Sequence, residues 1–432
     1  MNTKELLFID LEVDYDKKIR DLGIVLDKLS LHTSSLQEAY SFIEDNSAQY
    51  IIGHNIIKFD KEFLLQSSLN PLLKDKIFVD TLPVSLLLFN EKTFHSLPKN
   101  YKDEDNFLND PLKDALSCKK LFFDAVEKFK ILPQLQRNIL YSLLKENELF
   151  RGFFHAIKDT QKFEALSYPI LKGSILSVFK PIIQNALFLE EVLKNYQVEL
   201  AFILALKIPE LEVNAQPPKV LYDYPKLPEL QKELSFHYET TLQNLEKLSE
   251  EIFGFASFRE FPRQNPTLEE GTTLSQKEIV QAGLRDDSFL AILPTGGGKT
   301  FTFWLPAIIK AKTLKTLTVV ISPLQALIKD HIESFHEQVA NYQAVALSGY
   351  LSPSERIAAI EKVTNGDADI LYLAPESLRS NTVFNLLKNR VIERFVIDEA
   401  HCLSTWGNDF RHDYFYIGEF LRELLEAKPF ES

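Results

Sequence analysis

Ala291-Ile-Leu-Pro-Thr-Gly-Gly-Gly-Lys-Thr300 decides how the second half of this 432-residue chain is read. Small apolar residues run into Pro294-Thr295, three glycines follow, and Lys299-Thr300 close the stretch. The pattern predicts a buried strand feeding a phosphate loop, which opens a helix from Phe301 to Lys310. Gly296, Gly297 and Gly298 let backbone N–H groups turn toward a phosphate, and the helix N-terminus adds partial positive charge. Thr295 to Thr300 are therefore candidate nucleotide-binding residues. Lys299 would reach the β- and γ-phosphates, and the Thr300 hydroxyl would sit on Mg²⁺. The strict spacing asks for Gly at position 293, where Leu293 stands, so by itself the stretch also reads as an ordinary Gly-rich turn.

The sequence about a hundred residues on separates the two readings. Arg394-Phe-Val-Ile-Asp-Glu-Ala-His401 is an apolar strand ending in adjacent carboxylates. An α/β sheet presents its ligands at such strand ends. Asp398 can hold Mg²⁺ through water, and Glu399 can take the proton from an attacking water. Both halves of one nucleotide site stand in the right order, which an isolated acidic turn would not explain.

With these residues in hand, residues 251–432 resemble the first RecA-like domain of a superfamily 2 DNA helicase of the RecQ family. Leu293–Thr300 is similar to motif I of that family, Ile321–Asp330 to motif Ia, and Tyr372–Glu376 to motif Ib. Val396–Cys402 is similar to motif II, and Leu403–Arg411 to the aromatic-rich loop that follows it. The resemblance implies ATP and Mg²⁺ as cofactors and DNA as partner. In the loop, Trp406, Phe410 and Arg411 are the implied DNA-binding residues, with bases stacking on the two rings. Gln276 is similar to the adenine-reading glutamine of motif 0. The Phe-Arg expected just before it is replaced by Thr272-Thr273, and Phe258-Arg259 stands as a displaced substitute. Asn408 and His412 depart from the His and Pro usual in the loop.

The composition is that of ordinary globular domains: 45% hydrophobic and 25% charged residues. The formal net charge of −13 argues against DNA binding by bulk electrostatics and asks for local contacts. Two cysteines, Cys118 and Cys402, are far apart and give no zinc pattern. Met1 to Glu5 is polar, and Val198 to Leu206 is too short to span a membrane. A cytoplasmic protein is expected, nucleoid-associated if bacterial, with no membrane partner and an open oligomeric state.

At the other end of the chain, Leu6-Leu-Phe-Ile-Asp-Leu-Glu-Val13 sets Asp10 and Glu12 two apart on a strand, hence on one face. Two acids on an otherwise apolar strand are costly unless a cation binds between them. Asp60 follows a second strand after Asn55 and Phe59, and Asp114 falls on a predicted helix continuing through Val126. Residues 4–130 thereby resemble the DEDD exonuclease family, which implies an RNase H-like fold. It also implies catalytic, metal-holding roles for Asp10, Glu12, Asp60 and Asp114 with Mg²⁺ or Mn²⁺. Asp80-Thr-Leu and His95-Ser-Leu are similar to the family's intervening elements. Its third motif places His five residues before the last Asp, which here is Asn109, or Tyr four before, which is Asp110. Asn109 accepts no proton near neutral pH, so vigorous catalysis is not expected unless Asp110 or His95 substitutes.

The expected architecture is α/β. Residues 1–130 form an exonuclease-like domain, 131–250 a helical connector with a proline-rich linker, and 251–432 a first RecA-like domain. A second RecA-like domain is expected to be missing, the chain being a truncated piece of a Werner-like arrangement that would not unwind duplex DNA by itself. The expected function is an ATP-dependent, RecQ-type 3′–5′ helicase motor coupled to a 3′–5′ exonuclease-like domain acting on single-stranded or 3′-ended DNA. Two alternatives stay open: a nucleotide-gated binding module with an inactive exonuclease fold, and a DEDD ribonuclease.

Overall fold

The computed structural model describes residues 2–46, 48–89, 95, 110–180, 182–211, 215–255, 257–262, 273–285, 288–349, 351–400 and 408–430, with the backbone alone at 408–412. It divides into two compact units, Met1–Lys180 with Leu189–Val213, and Pro181–Phe188 with Asn214–Ser432. The helices between 134 and 178 thus count with the first unit, and those from Pro218 onward with the second.

The N-terminal unit is built on a mixed sheet of β1 (Leu6–Val13), β2 (Ile19–Leu26), β3 (Leu29–Thr33), β4 (Tyr50–Gly53) and β5 (Ile77–Asp80), in the order β3-β2-β1-β4-β5. The first three strands are antiparallel because short turns join them, with Lys17 and Asp27 taking positive φ at the bends. β4 and β5 run parallel to β1 after longer crossovers, the first through the Leu36–Glu44 helix. Leu7, Ile9 and Leu11 alternate into a core with Leu22, Ile24, Ile43 and Ile51. Gly23, opposite Asp10, is the strand position where bulk is forbidden: a Cβ there would run into the backbone of Pro111 and Leu112. That close approach seats the Pro111–Ile131 helix on β1 and β2, and puts Asp114 in its first turn.

In the C-terminal unit a short hairpin of β6 (Glu260–Pro262) and β7 (Thr273–Ser275) precedes a parallel sheet. Its strands are β8 (Leu317–Ile321), β9 (Ala344–Leu347), β10 (Ile370–Leu373) and β11 (Ile392–Ile397), in the order β11-β8-β10-β9. β8 and β10 are buried throughout, the pattern of strands covered on both faces by crossover helices. Pro218 and Pro228 sit in the first turns of the helices Pro218–Asp223 and Leu227–Ser235, where a missing N–H costs nothing. The Tyr238–Phe253 stretch forms two helices, Tyr238–Gln243 and Leu245–Phe253, broken at Asn244.

The strand expected ahead of the phosphate loop does not form. Residues 288–294 have no ladder partner, and Leu290 and Ile292 are 75% and 78% exposed. Among the described residues β11 is an edge strand, and a cavity of about 510 Å³ separates it from Phe289–Leu293. An apolar run becomes a strand only where a neighbour accepts its N–H groups, and among the described residues no strand pairs with this run. The helix after the loop is longer than expected, Lys299–Leu314.

Candidate functional site

The phosphate loop is shaped by two left-handed glycines. Gly296 has φ 73° and Gly298 φ 71°, conformations that cost a side chain dearly. The Gly297 N–H donates to the Pro294 carbonyl at 2.9 Å, closing the turn. Gly298 caps the Lys299–Leu314 helix, so the helix N-terminus begins where a phosphate would sit. Buried Gln276 holds the loop from behind, donating from Nε2 to the Gly297 carbonyl at 2.8 Å. A Cβ on Gly298 would lie 2.5 Å from that Nε2.

Arg259 completes the support, and β6–β7 pairing explains how. Glu260 pairs with Ser275, which sets Arg259 opposite Gln276. The Arg259 N–H donates to Gln276 Oε1 at 2.9 Å, the Gln276 N–H donates to the Arg259 carbonyl at 2.9 Å, and Arg259 Nη1 donates to the Gly296 carbonyl at 2.9 Å. Sequence reasoning pointed at Arg259 only as a displaced substitute. The hairpin brackets the intervening insertion and brings the residue home.

Across the site, β11 delivers the acidic pair. The Asp398 N–H donates to the Ile321 carbonyl, continuing the β11–β8 ladder by one residue. Glu399 then turns out of it at φ 50°, an unusual backbone for a residue with a Cβ. Its N–H donates to Asp398 Oδ1 at 2.9 Å, which supports the turn. The result is a contact between the two motifs, Lys299 Nζ to Glu399 Oε1 at 2.7 Å. His331, on the Gln325–Gln338 helix, is a neighbour that sequence reasoning missed. Burial lowers its pKa, opposed by the nearby charges of Asp398, Asp330 and Glu399. It stands one residue beyond the stretch resembling motif Ia, which was the available signal. Trp406 lies outside the described residues, as do the side chains of Phe410 and Arg411, whose backbone opens the Asn408–Glu426 helix.

In the N-terminal unit, Asp10 and Glu12 are half-buried on β1 with Leu11 buried between them, as a period of two requires. Asp60 starts the Asp60–Gln66 helix and is 4% exposed. Burial pushes its carboxyl up to about 7, helped by the negative charges of Asp80 and Glu12. Asp80, read in sequence only as part of an intervening element, belongs to this neighbourhood. It ends β5, caps the Thr81–Leu88 helix, and accepts the N–H groups of Asn55 at 2.8 Å and Ile57 at 3.1 Å. The signal was its place after a strand and before a helix. Asp110 caps the helix that carries Asp114, accepting from Leu112 and Lys113 N–H groups. Buried His95 lies with Nδ1 2.8 Å from Ser85 Oγ. Asn109 lies outside the described residues. Among those described, no three of the His, Cys, Asp and Glu side chains are gathered to hold a metal.

Residues 273–430 match the family model described as DEAD/DEAH box helicase. The chain is 33% identical over 183 residues to "Probable ATP-dependent DNA helicase RecS" of Bacillus subtilis, covering 42% of this chain and 33% of that protein. It is 36% identical over 188 residues to "ATP-dependent DNA helicase RecQ" of Synechocystis sp., covering 43% and 35% respectively. To the RecQ helicase of Haemophilus influenzae it is 31% identical over 176 residues, covering 41% and 25%. The chain spans about a third or less of the length of each of these relatives. No described helix is long and apolar enough to cross a membrane. With its parallel sheet, glycine loop and acidic strand end, the C-terminal half of this chain carries a DEAD/DEAH helicase domain whose relatives are RecQ-type DNA helicases.

Proposed function

We propose that the C-terminal unit binds and turns over ATP as part of a RecQ-type 3′–5′ DNA helicase motor, and that the N-terminal unit is an exonuclease-like module which engages DNA ends. One observation carries the first half: the 2.7 Å contact between Lys299 and Glu399, which brings residues a hundred positions apart into one site. The donor set suits a nucleotide with its metal. Backbone N–H groups of the loop and Lys299 face phosphate oxygens, and Thr300 and Asp398 offer oxygens to Mg²⁺. Bound Mg²⁺ would neutralise charge on the phosphates. Glu399 then takes the proton of the attacking water, and Trp406, Phe410 and Arg411 contact single-stranded DNA, whereas buried Gln276, its amide bonded at both ends, braces the loop instead of reading adenine. The test is calorimetry with ATP and Mg²⁺. Lys299→Ala should bind at least about tenfold more weakly than the parent, about 1.4 kcal/mol. Equal affinities would remove the site from this reading.

For the N-terminal unit, the sheet order β3-β2-β1-β4-β5, with Asp10 and Glu12 on β1 and Asp60 near enough to feel the charges of Glu12 and Asp80, supports an RNase H-like nuclease ancestry. The carboxylates of Asp10, Glu12, Asp60 and Asp114 would hold Mg²⁺ or Mn²⁺ only by drawing closer than the described arrangement places them. That observation favours a second reading, a catalytically weak module that grips ends without cutting them. Asn109→His discriminates. Supplying the missing general base should raise 3′–5′ degradation of single strands in Mn²⁺ by about tenfold or more. A parent that is already fast, and unchanged by Asn109→His, would place the base elsewhere. Running DNA and RNA strands side by side decides between a deoxyribonuclease and a ribonuclease.

A further inference from the structure

The N-terminal unit contains a second concave site, separate from its acidic cluster. A cavity of about 510 Å³ is lined by six cations: Lys61, Lys74, Lys76, Lys145, Arg151 and Lys158. In a chain with 61 acidic and 48 basic residues, this is a marked local reversal of sign. The cations come from separate elements: the Asp60–Gln66 helix, the approach to β5, the end of the Gln134–Leu144 helix, and the Glu148–Ile157 helix with the residue after it. The one lining carboxylate, Glu148, is taken by Lys61 at 2.9 Å. Lys145 pairs outward with Glu146 at 3.2 Å, and Lys158 Nζ lies 3.3 Å from His155 Nε2. Among the described residues Lys74, Lys76 and Arg151 form no ion pair with a carboxylate.

A solvated lysine-rich face is the plain alternative, and Lys74, Arg151 and Lys158 are indeed exposed. Two features go beyond it. The cations surround a hollow, where like charges focus their field on whatever enters. The floor of that hollow is aromatic, with Phe78 and Phe154 buried and Tyr141 half-buried, and Lys61 Nζ lies 5.5 Å from the Phe78 ring centre. The volume lies within the range of small-molecule sites. The pocket also adjoins the acids: Lys61 follows Asp60, and lining residue Ile57 donates its N–H to Asp80.

We propose that this pocket binds a nucleoside phosphate, its cations on the phosphate oxygens and its aromatic floor under the sugar or base. The same chemistry is offered by a free nucleotide and by the phosphorylated end of a nucleic-acid strand. The proposal stands whether or not the acidic cluster cuts.

The experiment uses the full chain carrying Lys299→Ala, in which the glycine loop binds at least about tenfold more weakly, so that a second site can be read beside it. Calorimetry would compare inorganic pyrophosphate, a nucleoside monophosphate, and a short single-stranded oligonucleotide with and without a 5′-phosphate. The monophosphate is expected to bind more tightly than pyrophosphate, and to weaken as salt rises. Adding Lys76→Glu with Arg151→Glu should cost more than about tenfold in affinity, as expected for lost charge-assisted hydrogen bonds, with the melting temperature unchanged. If that pair unfolds the chain, Lys74→Glu, which is exposed, gives the same reading. Preference for the free nucleotide over the oligonucleotides assigns a small-molecule source, and preference for the 5′-phosphorylated strand assigns a strand end. Undiminished nucleotide affinity in the folded charge-reversed chain overturns the proposal, and so does pyrophosphate binding as tightly as the nucleotide. Failure of Asn109→His to raise cutting would leave this result untouched.

Discussion

Glu399→Gln will lower ATP turnover by about 10²–10⁴-fold while leaving nucleotide binding within about threefold of the parent. Gln has the shape of Glu and can still accept from Lys299 through its side-chain oxygen, so the 2.7 Å contact and the φ 50° turn that presents it should survive. What it lacks is a charge able to take a proton from water. Removing that charge also removes the anion facing the phosphate loop, so binding should hold or tighten. Steady-state hydrolysis with single-stranded DNA present, alongside calorimetry with ATP, separates the two effects. Undiminished turnover would move the base to another residue, and a parallel loss of binding would make Glu399 a structural support.

The second large effect concerns Asp60. Its carboxyl is pushed up to about 7 by burial and by the charges of Asp80 and Glu12, against an ordinary 3.8. The folded chain therefore binds this proton more tightly than the unfolded chain. The stability it contributes is fully present below about pH 4, declines as pH rises toward 7, and is lost above that. At pH 8 the parent buries a charge beside other acids, whereas Asp60→Asn does not. The variant should be more stable there by about 1–4 kcal/mol, raising the melting temperature of the N-terminal unit by several degrees. Below pH 4 parent and variant should converge. Added Mn²⁺ should raise the parent's melting temperature at pH 8 and do little for Asp60→Asn, because a ligand stabilises only the state it binds. If Mn²⁺ moves neither protein, the acids are not a metal site and the end-binding module is the better account.

The sequence showed the site's two halves more clearly than the scaffold between them. Lys299 and Glu399 were readable because phosphate chemistry demands fixed residue types at fixed local spacing, and their contact follows from the fold that such spacing specifies. The face shared by Asp10 and Glu12 followed from strand period alone. The Phe289–Leu293 stretch was misread because apolar content says nothing of whether a ladder partner is present. Arg259 and Asp80 were underweighted for a related reason: each acts through backbone groups brought to it by a hairpin or a crossover. The basic pocket was invisible in sequence because its cations are spread from Lys61 to Lys158 on separate elements that only the fold brings together.

Among the described residues, the edge position of β11 also bears on how the molecule behaves in company. A strand with one open side, next to exposed Leu290 and Ile292, is a template on which another chain can lay down a strand. The acidity that argues against bulk attraction to DNA then has a second role. A net charge of −13 keeps copies apart before their open edges can meet. Salt shortens the reach of that repulsion, to about 10 Å at 0.1 M. Colloidal stability in this protein is therefore bound to ionic strength, and the conditions that quiet its charges are those under which the open side of β11 is most exposed to another of its kind.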